Sequence, residues 1–220
     1  MKFRFYIMYC IFLVLFVSCK QTGNKLELIN GGNAIDKLTP EIAKKFTGWI
    51  ENKENNLLQE KTISDITFSA LYKPHDYMAM LEIGNTDSMN TTKFETIKQS
   101  YEGMDYFTFK IATDKTKDEL LKYKTSTSNE YYSRLEYYSF KAQDDFMLLS
   151  GKDSLQCKLF HFERTFGLAP VLTFVLGFQG ARKKGEDLTL AYNDRIFSSG
   201  MIKLNYSVEV LNSIPTIKIK

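Results

Sequence analysis

The chain has 220 residues, a formal net charge of +3, and 44% hydrophobic against 25% charged residues. That balance suits a folded body with one large core or two small ones, and it argues against a disordered chain. Lys2 and Arg4 precede an apolar run, and taking away those two cations leaves +1, so the body offers no electrostatic ground for a nucleic-acid partner.

After the charged start comes an apolar stretch from Phe5 to Val17, closed by Ser18-Cys19 and followed by the polar Lys20-Gln21-Thr22-Gly23-Asn24. A basic start, an apolar core of about a dozen residues and a small residue at the end make up a secretory signal. The core is too short to span a bilayer, which takes about 20 apolar residues. With Ser18 directly before Cys19 and with Leu15 and Val17 upstream, residues 1–20 resemble a bacterial lipoprotein signal. Phe16 stands where that family usually has Leu. The resemblance implies a signal peptide over 1–18, cleavage before Cys19, a diacylglycerol on its sulfur, and usually a third acyl chain such as palmitate on the new amino group. Two or three chains would anchor the protein, because each buried methylene contributes about 0.8 kcal/mol. An ordinary cleaved signal, or a short uncleaved anchor with Cys19 as a bystander, is the alternative.

Cys10 lies in the leader and Cys19 would carry lipid, so Cys157 has no intramolecular disulfide partner. Its apolar neighbours make it a buried structural thiol. Residues 19–38 read as a flexible tether broken by Gly23, Gly31 and Gly32. Such a linker spans about 23 Å root-mean-square.

A helix is expected from Thr39, which caps it, and Pro40, which suits its first position. Ile42, Phe46, Trp49 and Ile50 repeat on one face. That face is expected to pack in the core rather than lie on the membrane, because the polar face mixes both charge signs. Residues 63–72 alternate as a strand, and Lys73-Pro74-His75-Asp76 reads as a turn. Tyr77–Ile83 reads as the returning strand, with a helical turn at Met78-Ala79-Met80-Leu81 as the alternative. Phe94, Ile97 and Tyr101 repeat at helical spacing before Gly103. Tyr106–Ile111 is expected as a strand and Asp118–Tyr123 as a short helix.

The small polar run 125–129 divides an α+β region over 39–125 from a strand-rich region over 130–220. Strands are expected at Tyr131–Phe140, Phe146–Leu149, Leu155–Glu163, Val171–Phe178, Leu188–Tyr192, Met201–Val210 and Ile214–Ile219. Aromatic and β-branched residues favour them. Seven short strands with frequent turns point to an immunoglobulin-like antiparallel β-sandwich, giving an α+β, mostly β protein.

No constellation for catalysis emerges. His161 and Glu163 share a strand face, with Cys157 expected beside them, but a zinc deaminase also needs a P-C-x-x-C half, and the chain has neither that nor another cysteine pair. A zinc site usually takes three or four ligands. Nucleophile-elbow, Walker A and dinucleotide patterns are absent. Asp144-Asp145 has no second acid placed opposite it. Gly177–Gly185 with Arg182, Lys183 and Lys184 is expected as a solvated hairpin loop, or as a site for an acidic headgroup or glycan. No cofactor and no metal are expected. Tyr131 and Tyr137, on one face of the expected strand 131–140, are candidates for an exposed platform contacting a protein or a glycan.

Asp87-Ser88-Met89 and Asp153-Ser154-Leu155 resemble the short O-glycosylation motif of exported Bacteroidota proteins, and the Asn-, Lys- and Tyr-rich composition suits such envelope lipoproteins. The absence of an acidic cluster after Cys19 would then imply retention on the periplasmic side of the outer membrane. The expected role is non-enzymatic: a membrane-anchored accessory or assembly factor that binds another envelope protein. A glycan-binding lipoprotein using the exposed tyrosines is the alternative.

Overall fold

A computed structural model describes residues 38–84, 91–164, 169–180 and 185–218. Cys19 and the leader and most of the expected tether therefore lie outside the described residues, as do Asp87 to Met89 and Arg182 to Lys184.

Helix α1 (Pro40–Glu51) begins as its sequence dictates. Thr39 Oγ1 accepts the Ile42 N–H at 3.3 Å, Pro40 occupies the first turn, and Phe46, Trp49 and Ile50 are buried. Its apolar face belongs to the core of the folded body. A short 3-10 turn (Lys53–Asn55) and Asn56, at φ 57°, reverse the chain into β1 (Leu58–Ile63). Strand β1 is not among the expected strands, because its Glu60, Lys61 and Thr62 are exposed and carry no alternation. A two-residue loop with Ser64 at φ 55° leads into β2 (Ile66–Lys73). Ile66, Phe68, Ala70 and Tyr72 face inward there, in the predicted alternation.

Pro74 then precedes a helix, α2 (His75–Ile83), not a returning strand. Tyr77, Met80 and their neighbours Asp76 and Ala79 bury one helical side, and the Met-Ala-Met-Leu centre has strong helix propensity. Helix α3 (Thr91–Ser100) buries Phe94 and ends ahead of Gly103, whose φ of 84° favours glycine. Strand β3 (Met104–Ala112) follows, and the expected short helix narrows to a 3-10 turn at Leu120–Lys122.

Residues 128–140 form helix α4 (Ser128–Phe140), correcting the strand expected at Tyr131–Phe140. Thr127 Oγ1 accepts the Glu130 N–H at 3.2 Å, and Glu130 Oε2 accepts the Ser126 N–H at 2.7 Å. This reciprocal cap starts a helix. It outweighs the strand preference of the four tyrosines, because Tyr131, Leu135 and Tyr138 then meet the core on one face.

Strands β4 (Phe146–Ser150), β5 (Asp153–Glu163), β6 (Val171–Gln179) and β7 (Leu188–Asp194) come close to their expected bounds, and β8 (Gly200–Tyr206) starts where expected but ends four residues early. Ser207 caps helix α5 (Val208–Asn212) where β8 was to continue, and residues 214–218 carry no strand.

All eight strands join one antiparallel sheet in the order β1-β2-β3-β6-β5-β4-β7-β8. The α+β, mostly β class holds, but the immunoglobulin-like sandwich over 130–220 is not what forms. That region supplies five strands of a single sheet. Strand β3 pairs with β6 along its whole length, so the sheet is continuous across the expected division at 125–130. The sheet curls until its edges β1 and β8 meet, making a nearly closed barrel. Its interior is aromatic: Phe146 stacks on Tyr192 at 4.5 Å, Phe162 on Phe174 at 5.1 Å, and Phe107 meets Phe178 edge-on at 5.8 Å. Each such ring contributes about 1.5–3 kcal/mol by leaving water. The wealth of Phe and Tyr is thereby accounted for as core. Polar groups collect at the two ends of the barrel.

Candidate functional site

Helix α4 closes the end formed by the start of β4 and the finish of β7. Tyr138 is fully buried there, its ring 5.5 Å from Phe174 and 6.0 Å from Phe162. Tyr137 Oη donates to Asp145 Oδ2 at 2.8 Å. The other Asp145 oxygen accepts from Arg195 Nε at 2.8 Å and from Asn193 Nδ2 at 3.3 Å. Burial, and then the hydrogen bond to Asp145, push the Tyr137 hydroxyl well above its ordinary pKa, so it stays a donor. Tyr131 Oη donates to buried Glu119 at 3.2 Å. Arg134 Nη1 donates to the Leu121 and Tyr123 carbonyls at 3.3 and 2.6 Å, and its guanidinium lies 5.4 Å from the Phe197 ring centre.

Tyr131 and Tyr137 are thus half-buried on a helix with their hydroxyls engaged, and they do not form a row on a strand. The exposed side of α4 carries other residues. Tyr132 is 64% and Phe140 81% exposed. Eight residues apart, they sit about 12 Å from one another along the helix, on the same side. Glu136 lies between them, paired with Lys141 at 2.7 Å. The sequence reading missed this pair because it placed 131–140 on a strand. The helical repeat of Tyr131, Leu135 and Tyr138 is the signal that points Tyr132 and Phe140 outward.

The opposite end has a cleft of about 370 Å³ between the finish of β2, the start of α2, the start of β3 and the segment after α5. Tyr72 Oη donates to Asp105 at 2.9 Å. Asp76 pairs with Lys98 at 2.9 Å and accepts the Ile217 N–H at 3.3 Å. Both aspartates are 6% exposed. His75 Nε2 lies 2.8 Å from the Met104 carbonyl, which only accepts, so Nε2 carries the hydrogen. These residues are far apart in sequence, and no spacing rule connects them.

His161 and Glu163 are exposed on the outer barrel face. A β-bulge between Cys157 and Leu159 inverts the alternation of β5. Cys157 therefore turns inward with Phe160 and Phe162, away from His161 and Glu163, which corrects the shared face expected for the three. Burial pushes the Cys157 thiol up to about 12, and its Sγ lies 3.1 Å from the Leu159 carbonyl. Asp145, one of the expected acid pair, is tied to Arg195 at 2.7 Å. Among the described residues, no group of three His, Cys, Asp or Glu side chains is placed to hold a metal. Among them, too, no helix is long and apolar enough to cross a membrane.

Fold and surface together define an α+β protein with a filled, nearly closed antiparallel barrel, a helix over one end and a cleft at the other. No protein-family model matches the chain, and no curated protein or solved structure is detectably similar to it.

Proposed function

We propose that the protein is a lipid-anchored envelope lipoprotein, held through Cys19 on the periplasmic side of the outer membrane, and that its barrel is a non-enzymatic accessory or assembly factor binding another envelope protein. The observation that carries the binding role is the outward side of α4. Tyr132 and Phe140 are large aromatic side chains left in water on a helix that is otherwise fastened down. Exposed aromatics on a rigid element are the residue type that anchors protein interfaces. The leader supports the anchor, and the titratable pairs at both barrel ends are explained by structural bonds. Tyr132 also favours the second reading, glycan binding, since its exposed ring offers a stacking face.

The test places a photocrosslinking residue at Glu136 in the acylated protein in native membranes. One discrete crosslinked species, lost in the Tyr132→Ser/Phe140→Ser double variant, is expected. Recovery only as a monomer, or an unchanged product in the double variant, would overturn the protein-binding role. For the anchor, a Cys19→Ala variant should leave the membrane fraction and take up no labelled palmitate. Retention with labelling would remove Cys19 as the lipid site.

A further inference from the structure

A further cleft, of about 280 Å³, opens between the β1–β2 turn, the segment after Leu120–Lys122, helix α4 and the β7–β8 loop. We propose that it binds a small hydroxylated carboxylate, a sugar acid, and this does not depend on the outward side of α4. The charged lining is Lys124 and Arg134 against Asp65. Lys124 and Asp65 answer each other at 2.7 Å. Arg134 is held instead by neutral carbonyls: Nη1 donates to Leu121 and Tyr123 at 3.3 and 2.6 Å, and Nη2 to Lys124 at 3.5 Å. Among the described residues no carboxylate pairs with it, and these bonds leave the Nε hydrogen and one on Nη2 uncommitted. The lining therefore presents a net positive charge on a half-buried, fixed guanidinium, where solvent screens its pull on an anion less than on an open surface.

The facing wall is equally fixed. Asp194 accepts the N–H groups of Ile196, Phe197 and Ser199 at 3.1, 3.2 and 2.9 Å, which sets the β7–β8 loop. It is buried, its oxygens are taken by those donors, and it does not line the cleft. Phe197 brings its ring to 5.4 Å from the Arg134 guanidinium. A single uncompensated cation suits a monoanion better than a phosphate dianion, and two remaining guanidinium donors match the two oxygens of a carboxylate. Ser64, Ser198 and Ser199 line the same cleft, and hydroxyls that both donate and accept are what the hydroxyls of a sugar need. The volume lies just below the usual range for ligand pockets, which leaves room for about one sugar ring. Such a ring is either a free sugar acid or the acidic end of a glycan.

Calorimetric titration of the acylated protein in detergent tests this. Glucuronate should bind, with glucuronamide, neutral and nearly the same shape, and acetate, charged but without hydroxyls, each weaker by roughly tenfold or more. Tighter binding of free glucuronate than of a glucuronate-terminated disaccharide marks a free compound as the source, and the reverse order marks a glycan end. Ser198 is exposed and sits at φ 58°, a conformation that Asp and Asn both tolerate. Ser198→Asp should weaken glucuronate binding by roughly tenfold or more, and Ser198→Asn, of the same size without the charge, should keep it within about threefold. Equal binding of glucuronate and glucuronamide, acetate binding as tightly as glucuronate, no binding at 10-millimolar order (roughly the weak limit for a small specific ligand), or equal affinities in the two Ser198 variants would each overturn the proposal.

Discussion

Tyr206, the last residue of β8, donates its hydroxyl hydrogen to the carbonyl of Ala70 on β2 at 2.7 Å, across 136 residues of sequence. Both residues are buried. This bond joins the two sides of the seam at which the barrel closes, and burial pushes the Tyr206 hydroxyl far above its ordinary range, so it remains a donor.

Two tyrosine-to-phenylalanine changes should therefore act in opposite directions. Tyr206→Phe leaves the buried Ala70 carbonyl without this donor and should destabilise by about 1–3 kcal/mol. The hydroxyls of Tyr138 and Tyr192 are buried and reach no hydrogen-bond geometry, although Tyr137 lies near enough to influence Tyr192. Tyr192→Phe removes that orphan group and should be neutral or stabilising by up to about 1 kcal/mol. Urea midpoints of the two variants measure the contrast, and a similar loss for both would contradict it.

Acid should release a second fastening. Asp65 pairs with Lys124 at 2.7 Å and accepts the Tyr123 hydroxyl. The Lys124 bond first, and the Tyr123 bond second, lower its carboxyl to about 2. A carboxyl depressed in the folded state stabilises fully above its unfolded value near 4, and that stabilisation is lost as pH falls toward 2. Asp65→Asn should flatten the pH dependence of stability in that window and leave its slope near neutrality unchanged. Urea unfolding at pH 2, 3, 4 and 7 reads this out, and an unaltered acid slope would refute it.

Cys157 should be inert in the folded protein. The thiolate is the reactive form, and burial holds this thiol at about 12. Peptide mapping after iodoacetamide treatment at pH 8 should show Cys157 unmodified in native protein and modified in urea. Fast native labelling would mean that β5 opens at its bulge.

The start of α4 depends on a cap. Thr127→Ala removes the bond to the Glu130 N–H and should cost about 1 kcal/mol. Because α4 holds Tyr138 over the barrel end, the same change should speed amide exchange through residues 128–132 while leaving β3 and β6 protected. Uniform acceleration across the sheet would show that helix and barrel open together.

Much of the strand content was legible because period-two burial is a local property: Ile66, Phe68, Ala70 and Tyr72 alternate whatever lies beside them. The caps at Thr39 and Thr127 are equally local, and at the second the strand preference of the tyrosines masks the signal. Strand β1 left little trace because its exposed edge needs no apolar pattern. The bulge at Cys157 leaves no trace either, since an extra residue in one strand shows only against its partner β6.

Local pattern specifies the mostly β character and the α1 and α3 helices. Those properties follow from spacing and composition within short windows. Long-range packing sets the pairing of β3 with β6, the closing of one sheet at Tyr206 and Ala70, and the meeting of Asp76, Lys98 and Asp105 at one mouth. Strand partners are chosen by how whole faces bury against one another, and that long-range energy leaves no periodic mark on the chain.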